Sequence, residues 1–178
     1  MTRCFIALGI PPDIRTHFTL LYGGIPGARW TPEDNLHLTL RFLGPLDNSV
    51  LEDVAAALSL VDCPAFTLTF RGVGQFGDRK IHSLWAGVED SPGLQLLHGK
   101  IAGATRRAGI PPDERKFTPH VTLARLKNAP EDRILRFLSG NSLFRTTPVL
   151  FDHFTLYASH TGESGSVYEP LQDFPLVQ

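Results

Sequence analysis

Two short segments of the chain hold the residue types needed to move protons on and off a substrate. His37-Leu38-Thr39-Leu40-Arg41-Phe42-Leu43 recurs as His120-Val121-Thr122-Leu123-Ala124-Arg125-Leu126, an offset of 83 residues in a chain of 178. Imidazole changes charge close to neutral pH, so a pair can serve as proton donor and proton acceptor in one turnover. The threonine two residues after each histidine offers a hydroxyl that can donate to an oxygen gaining negative charge. A single His-x-Thr in a strand is ordinarily a solvated or core-edge pair. Recurrence separates the two readings, because two copies with aliphatic neighbours arise by chance on the order of once in a thousand sequences or less.

Strands are the elements that can aim these groups. Residues two apart in a strand share a face, so alternation points His37, Thr39 and Arg41 one way and Leu36, Leu38, Leu40 and Phe42 the other. In the second copy His120 and Thr122 share a face backed by Val121 and Leu123, and strict alternation turns Arg125 away from them unless a bulge re-aims it. Two such strands paired about a local twofold would bring both His-Thr pairs to one groove. Alternating runs predict strands at residues 3–9, 36–43, 66–71, 81–88, 120–126, 153–159 and 167–171. Helical spacing lies between them. Ile14, Phe18 and Leu21 mark one helix, Ser49 and Glu52 suggest a capping box for a second, Ser91-Pro92 opens a third, and residues 131–140 form a fourth. Strands that follow one another directly favour an α+β fold with antiparallel sheets over a doubly wound parallel one. The repeat suggests two similar lobes.

Composition narrows the function. Hydrophobic residues make up 42% and charged residues 20%, the balance of an ordinary globular chain of one domain. A formal net charge of −1 excludes the broad basic field of a protein that coats duplex nucleic acid, so a polyanion would be met locally. Cys4 and Cys63 lack the spacing of a zinc knuckle or disulfide framework, and with no signal-peptide pattern or membrane-length apolar run the expectation is a mature, soluble, cytoplasmic chain. His17, His82, His98, His153 and His160 lack metal-ligand spacing and read as surface or core-edge residues. Gly72-Val73-Gly74-Gln75-Phe76-Gly77 matches a dinucleotide fingerprint, but a strand follows it where a helix is required, so it reads as a hairpin loop.

Taken together, these segments resemble the RNA 2′,3′-cyclic phosphodiesterases, also called 2′-5′ RNA ligase-like proteins, within the phosphoesterases defined by two His-x-Thr motifs. The resemblance runs through Cys4-Phe5-Ile6-Ala7, Arg29-Trp30, residues 35–44, Phe117-Thr118-Pro119 with the second motif, Leu156-Tyr157 and Tyr168-Glu169-Pro170-Leu171, in the family's order. It implies a bilobal, pseudo-twofold α+β unit spanning residues 1–178. Two mainly antiparallel sheets would carry helices outside and the motifs in a central cleft, with no metal or cofactor. The implied reaction is hydrolysis of an RNA terminal cyclic phosphate to a 2′-phosphate, with His37 as proton donor and His120 as acceptor. That chemistry suits the residues, since ring opening needs water deprotonated on one side of phosphorus and the leaving ribose oxygen protonated on the other. His37, Thr39, His120 and Thr122 are the candidate catalytic set, with Arg125, Arg41, Phe42, Phe76 and Tyr157 as candidate substrate-binding residues. Arg125 is either a phosphate ligand or a structural ion pair. Phe76, Tyr157 and Tyr168 either stack on a base or pack. RNA ends or small nucleotides carrying a cyclic phosphate are the implied partners, with no membrane and no obligate protein partner. Ligation or cleavage of another cyclic or 2′-5′ linkage, and RNA-end binding without turnover, are the alternatives.

Overall fold

The computed structural model describes the whole chain, Met1–Gln178. Ten strands and four α-helices follow in the order β1 (Thr2–Gly9), α1 (Arg15–Thr19), β2 (Ala28–Trp30), β3 (His37–Leu46), α2 (Asn48–Leu58), β4 (Phe66–Leu68), β5 (Phe70–Phe76), β6 (Ser83–Val88), α3 (Pro92–Arg107), β7 (His120–Leu126), α4 (Glu131–Gly140), β8 (Val149–Phe151), β9 (His153–Gly162) and β10 (Gly165–Pro175). The fold is α+β with two antiparallel sheets. The large one has eight strands in the order β10-β9-β1-β3-β7-β6-β5, with β2 also paired to β7; β4 and β8 form the small one. No helix is long and apolar enough to cross a membrane.

Both motif strands lie in the middle of the one large sheet, and its two halves meet where β3 pairs with β7. One register pair joins these strands, Leu38 opposite Val121. Those residues are equivalent under the 83-residue repeat, so the local twofold passes between them. Both are fully buried. Each central strand then carries a bulge at the same repeat position. On β3 the register against β1 steps from Thr39–Ala7 to Arg41–Ile6, making Leu40 the extra residue. On β7 the register against β6 steps from Thr122–Trp85 to Ala124–Leu84, making Leu123 the extra residue. A bulge reverses the face of the side chains that follow it, up to any further bulge, such as the one at Leu43 on β3. Leu40 and Arg41 therefore both point inward, as do Leu123 and Ala124, while Phe42 and Arg125 turn out to the face that holds the His-Thr pairs.

The helices lock the halves together by crossing between them. After β1, α1 packs under the far edge of the sheet, where the Phe18 ring meets Phe70 at 5.2 Å and Phe144 at 5.6 Å. α3 follows β6 yet packs against β3. One hydrophobic cluster of 35 buried residues runs through both halves. α3 begins as its sequence suggests, with Ser91 Oγ accepting the Leu94 N–H at 3.2 Å and Pro92 in the first turn, and it ends before Gly109 at φ +87°. The expected Ser49–Glu52 capping box does not form. Asp47 is the extended N-cap residue of α2, which places Ser49 inside the first turn, where its side chain is past the capping position.

The Gly72–Gly77 segment corrects the hairpin-loop expectation, because most of it is β5 itself. Gly72, at φ +71°, sits in the register shift between Phe70 and Val73. Gly74 makes room for an aromatic ring, since a Cβ there would stand 2.3 Å from the Trp85 indole. Glycine in this strand marks close packing of a neighbour. Gly74→Ala should therefore destabilise the protein by about 1–3 kcal/mol through overpacking. The expected reading is a lower urea midpoint at unchanged m-value; an unchanged midpoint would show that Trp85 swings aside freely.

Candidate active site

His37 and His120 each open a central strand, and each imidazole is held the same way. Nδ1 of His37 lies 2.6 Å from the Asn35 carbonyl oxygen, and Nδ1 of His120 lies 2.6 Å from that of Thr118. A carbonyl can only accept, so Nδ1–H is the donor and the neutral ring keeps its lone pair on Nε2. One step either side of Leu38–Val121, the antiparallel register sets His37 across from Thr122 and Thr39 across from His120. The histidines are then diagonal neighbours, roughly 7–8 Å apart at the backbone where the register continues, a gap that a phosphoryl group can span. The Thr39 and Thr122 hydroxyls are half-buried, and neither has a protein partner.

Aromatic rings wall both imidazoles. Phe5 lies 5.0 Å from the His37 ring and Tyr168 meets it edge-on at 5.2 Å and 88°. Around His120, Phe76 stands edge-on at 4.8 Å and 83°, and Trp85 lies at 6.3 Å. These rings displace water from the imidazoles. Burial is the main reason that the pKa of each histidine falls below its ordinary value. The carbonyl hydrogen bond opposes that fall in each; for His37 the charges of His120 and Arg125 add to it, and for His120 that of Arg125 does. Both rings therefore favour the neutral form, and both lie within reach of the Arg125 charge. An arrangement of two neutral imidazoles with free Nε2 atoms, two unpartnered hydroxyls and a guanidinium can exchange protons with a bound anion and neutralise its charge.

The five candidate binding residues fall in different places. Arg125, which alternation aimed into the core, is exposed on the histidine face because of the Leu123 bulge. It has no carboxylate partner, so the structural ion-pair alternative is not realised. Phe42, assigned by alternation to the core, is 55% exposed on the same face for the matching reason, and the Arg115 guanidinium sits 6.0 Å from its ring centroid. Arg41 moves the opposite way. The Leu40 bulge buries it to 8% exposure, donating to the Pro111 carbonyl and lying 3.8 Å from an Asp113 carboxylate oxygen, away from the histidine face on which alternation put it. Phe76 packs on His120 and Trp85 at the rim. Tyr157 stacks on Phe5 at 5.1 Å and 12°, and Gly9 leaves room for its hydroxyl, so this ring supports the wall. No group of three or more His, Cys, Asp or Glu side chains is placed to hold a metal ion.

Three neighbours of the site escaped sequence reasoning. Phe5 lies in an unbroken apolar run whose facing cannot be read without the β1–β3 register, and Trp85 becomes a neighbour of Thr122 only through the β6–β7 pairing. Arg29 stands opposite Arg125 in the β2–β7 register, also without a carboxylate partner. Like charges placed directly opposite destabilise a strand pair. Its sequence signal was the Arg29-Trp30 pair, which had no role attached.

Comparison with known proteins agrees with this geometry. The family model described as the 2′-5′ RNA ligase superfamily matches residues 12–163. The chain is 31% identical to the RNA 2′,3′-cyclic phosphodiesterase of Escherichia coli, covering 99% of this chain and 97% of that one. It is 30% identical to the protein of the same name from Thermotoga maritima, covering 96% and 94%. The crystal structure of E. coli LigT complexed with 3′-AMP superposes with a TM-score of 0.81 at 28% identity, over 99% of both chains. With two His-x-Thr strands joined about a twofold, and a family model that takes in both of them, the chain belongs to the 2′-5′ RNA ligase superfamily.

Proposed function

We propose that this protein is an RNA 2′,3′-cyclic phosphodiesterase that opens a terminal cyclic phosphate to a 2′-phosphate. The carrying observation is the duplicated imidazole, each ring fixed through Nδ1 to the carbonyl two residues upstream and free at Nε2. The names of the relatives and the 3′-AMP held by E. coli LigT support the substrate class. One ring, neutral, takes a proton from the attacking water; the other, protonated, gives a proton to the departing ribose 3′-oxygen. The family resemblance makes His37 the donor and His120 the acceptor. Thr39 and Thr122 donate to the non-bridging oxygens as their charge rises, and Arg125 supplies the nearest guanidinium. Two imidazoles suffice for both proton transfers, so the reaction runs without a metal or cofactor.

The lowered imidazole pKa values set the pH dependence. In the free enzyme both rings lose their protons below the ordinary value of 6.5. The base is ready above its own pKa and the acid below its own, so kcat/KM should be bell-shaped with its maximum on the acid side of 6.5. A bound phosphoryl anion favours the charged ring, so the kcat profile should lie at higher pH than the kcat/KM profile. A kcat/KM that climbs steadily from about pH 5 to pH 9, with chemistry rate-limiting, would rule out shared histidine roles.

Thr39→Val and Thr122→Val nearly keep side-chain shape while deleting the hydroxyl. Each should slow single-turnover cleavage by about 10² to 10³ and weaken ground-state binding less; near-normal rates in both variants would remove the threonines from the mechanism. Activity on a short RNA with a cyclic phosphate end should persist in excess chelator. Loss with EDTA and recovery with a divalent ion would overturn the metal-free reading.

A further inference from the structure

The cleft does not end at the imidazoles. A cavity of about 650 Å³, the volume of a complete small-ligand site, begins at Thr39 and His120 and continues between α3 and residues 111–118. A cyclic phosphate between the histidines would fill only its edge. Arg106 projects from the last turn of α3 and Arg115 and Lys116 from the facing segment, all exposed, with Arg41 behind them. Four cationic side chains thus line the cavity against one carboxylate. That carboxylate, Asp113, is already engaged by Arg115 at 3.0 Å and by Arg41 at 3.8 Å. Arg106 and Lys116 have no acidic partner. The exposed Phe42 ring lines the same cavity as His120, with the Arg115 guanidinium 6.0 Å from its centroid.

A surface with an excess of like charges along a groove, two of them (Arg106 and Lys116) without a carboxylate partner, and with an exposed aromatic ring in its lining is the composition that binds single-stranded nucleic acid. We propose that this groove carries the nucleotide on the 5′ side of the reacting end, its phosphodiester held by Arg106, Arg115 and Lys116 and its base laid against Phe42. The inference rests on the phosphodiesterase reading of the same site and adds which part of the RNA the enzyme grips. It makes the substrate an oligonucleotide end in preference to a cyclic mononucleotide, which has no phosphodiester to place there. A chain with a net charge of −1 gains this grip locally.

The test compares two substrates that share the reacting group, a 2′,3′-cyclic mononucleotide and a trinucleotide ending in the same cyclic phosphate. The wild-type protein should show the higher kcat/KM on the trinucleotide. In the Arg106→Ala, Lys116→Ala double variant the ratio of the two kcat/KM values should fall about tenfold, the worth of one charge-assisted hydrogen bond. The charge-preserving pair Arg106→Lys, Lys116→Arg should restore it. The salt dependence of trinucleotide binding should also flatten, by about 0.7 in log–log slope for each phosphate contact removed. A ratio unchanged within about twofold, or equal losses on both substrates, would overturn the groove assignment while leaving the phosphodiesterase intact. If the wild-type protein cleaves neither substrate, the functional reading fails. The groove is then decided by titrating the trinucleotide 2′-phosphate product, whose affinity must drop in the double variant and recover in the charge-preserving one for the proposal to stand.

Discussion

The pairing of Leu38 with Val121 is the joint on which the molecule depends. It is the only register pair between β3 and β7, and it lies on the local twofold. Both side chains point into the core with no exposed surface, and that burial holds the register. A slip of one residue would send both leucine and valine to the cleft and both His-Thr pairs into the core. Because every side chain on the two strands is counted from this pair, the position of each imidazole relative to the opposite threonine follows from hydrophobic packing on the far face of the sheet. α3 packs against β3 at that joint and α1 against the far edge of the sheet, and one hydrophobic cluster takes in both, so the core and the site share a foundation.

The imidazoles illustrate how a small local device can serve twice. In each motif the carbonyl two residues before the histidine faces back onto its own ring, so the tautomer is set by three consecutive residues and needs no acidic side chain. An aspartate in that place would favour the charged ring. The carbonyl leaves the balance to burial, which pushes both rings toward neutrality, and to the nearby guanidinium, which pushes the same way. The device thus fixes the ring without fixing its charge, which burial and the guanidinium bias toward neutral.

How much of this was legible in the sequence depends on whether local periodicity survives. The β7 boundaries, the α3 start at Ser91-Pro92 and the α4 span follow directly from spacing and capping chemistry, and the His-Thr repeat located the centre of the site. Beyond Leu40 and Leu123 the alternation inverts. A bulge is decided by the partner strand, and nothing in Leu40-Arg41 or Leu123-Ala124 announces an extra residue. Arg41 and Phe42 consequently exchanged the faces expected of them, and Arg125 came round to the site. The glycines of β5 misled for a similar reason, since Gly74 answers to the Trp85 ring on another strand and its own neighbours do not reveal that. Arg29 and Phe5 became visible only when their strands were paired.

The matched bulges present one pair of residues, Phe42 and Arg125, that are equivalent under the repeat and opposite in chemistry. Up to those positions the centre of the site is a near-palindrome, the same imidazole and hydroxyl read from either side. A ligand seated in a palindromic site has two orientations of equal energy, and turning it over exchanges the oxygen presented to each ring. An energy gap of about 1.4 kcal/mol is enough to favour one orientation tenfold. An arginine on one side and a phenylalanine on the other distinguish the charged end of a nucleotide from its flat apolar one. On the proposed reading, the sense in which the substrate lies, and with it the division of labour between two otherwise interchangeable histidines, would be set two residues past each extra leucine, beyond the two His-x-Thr triplets themselves.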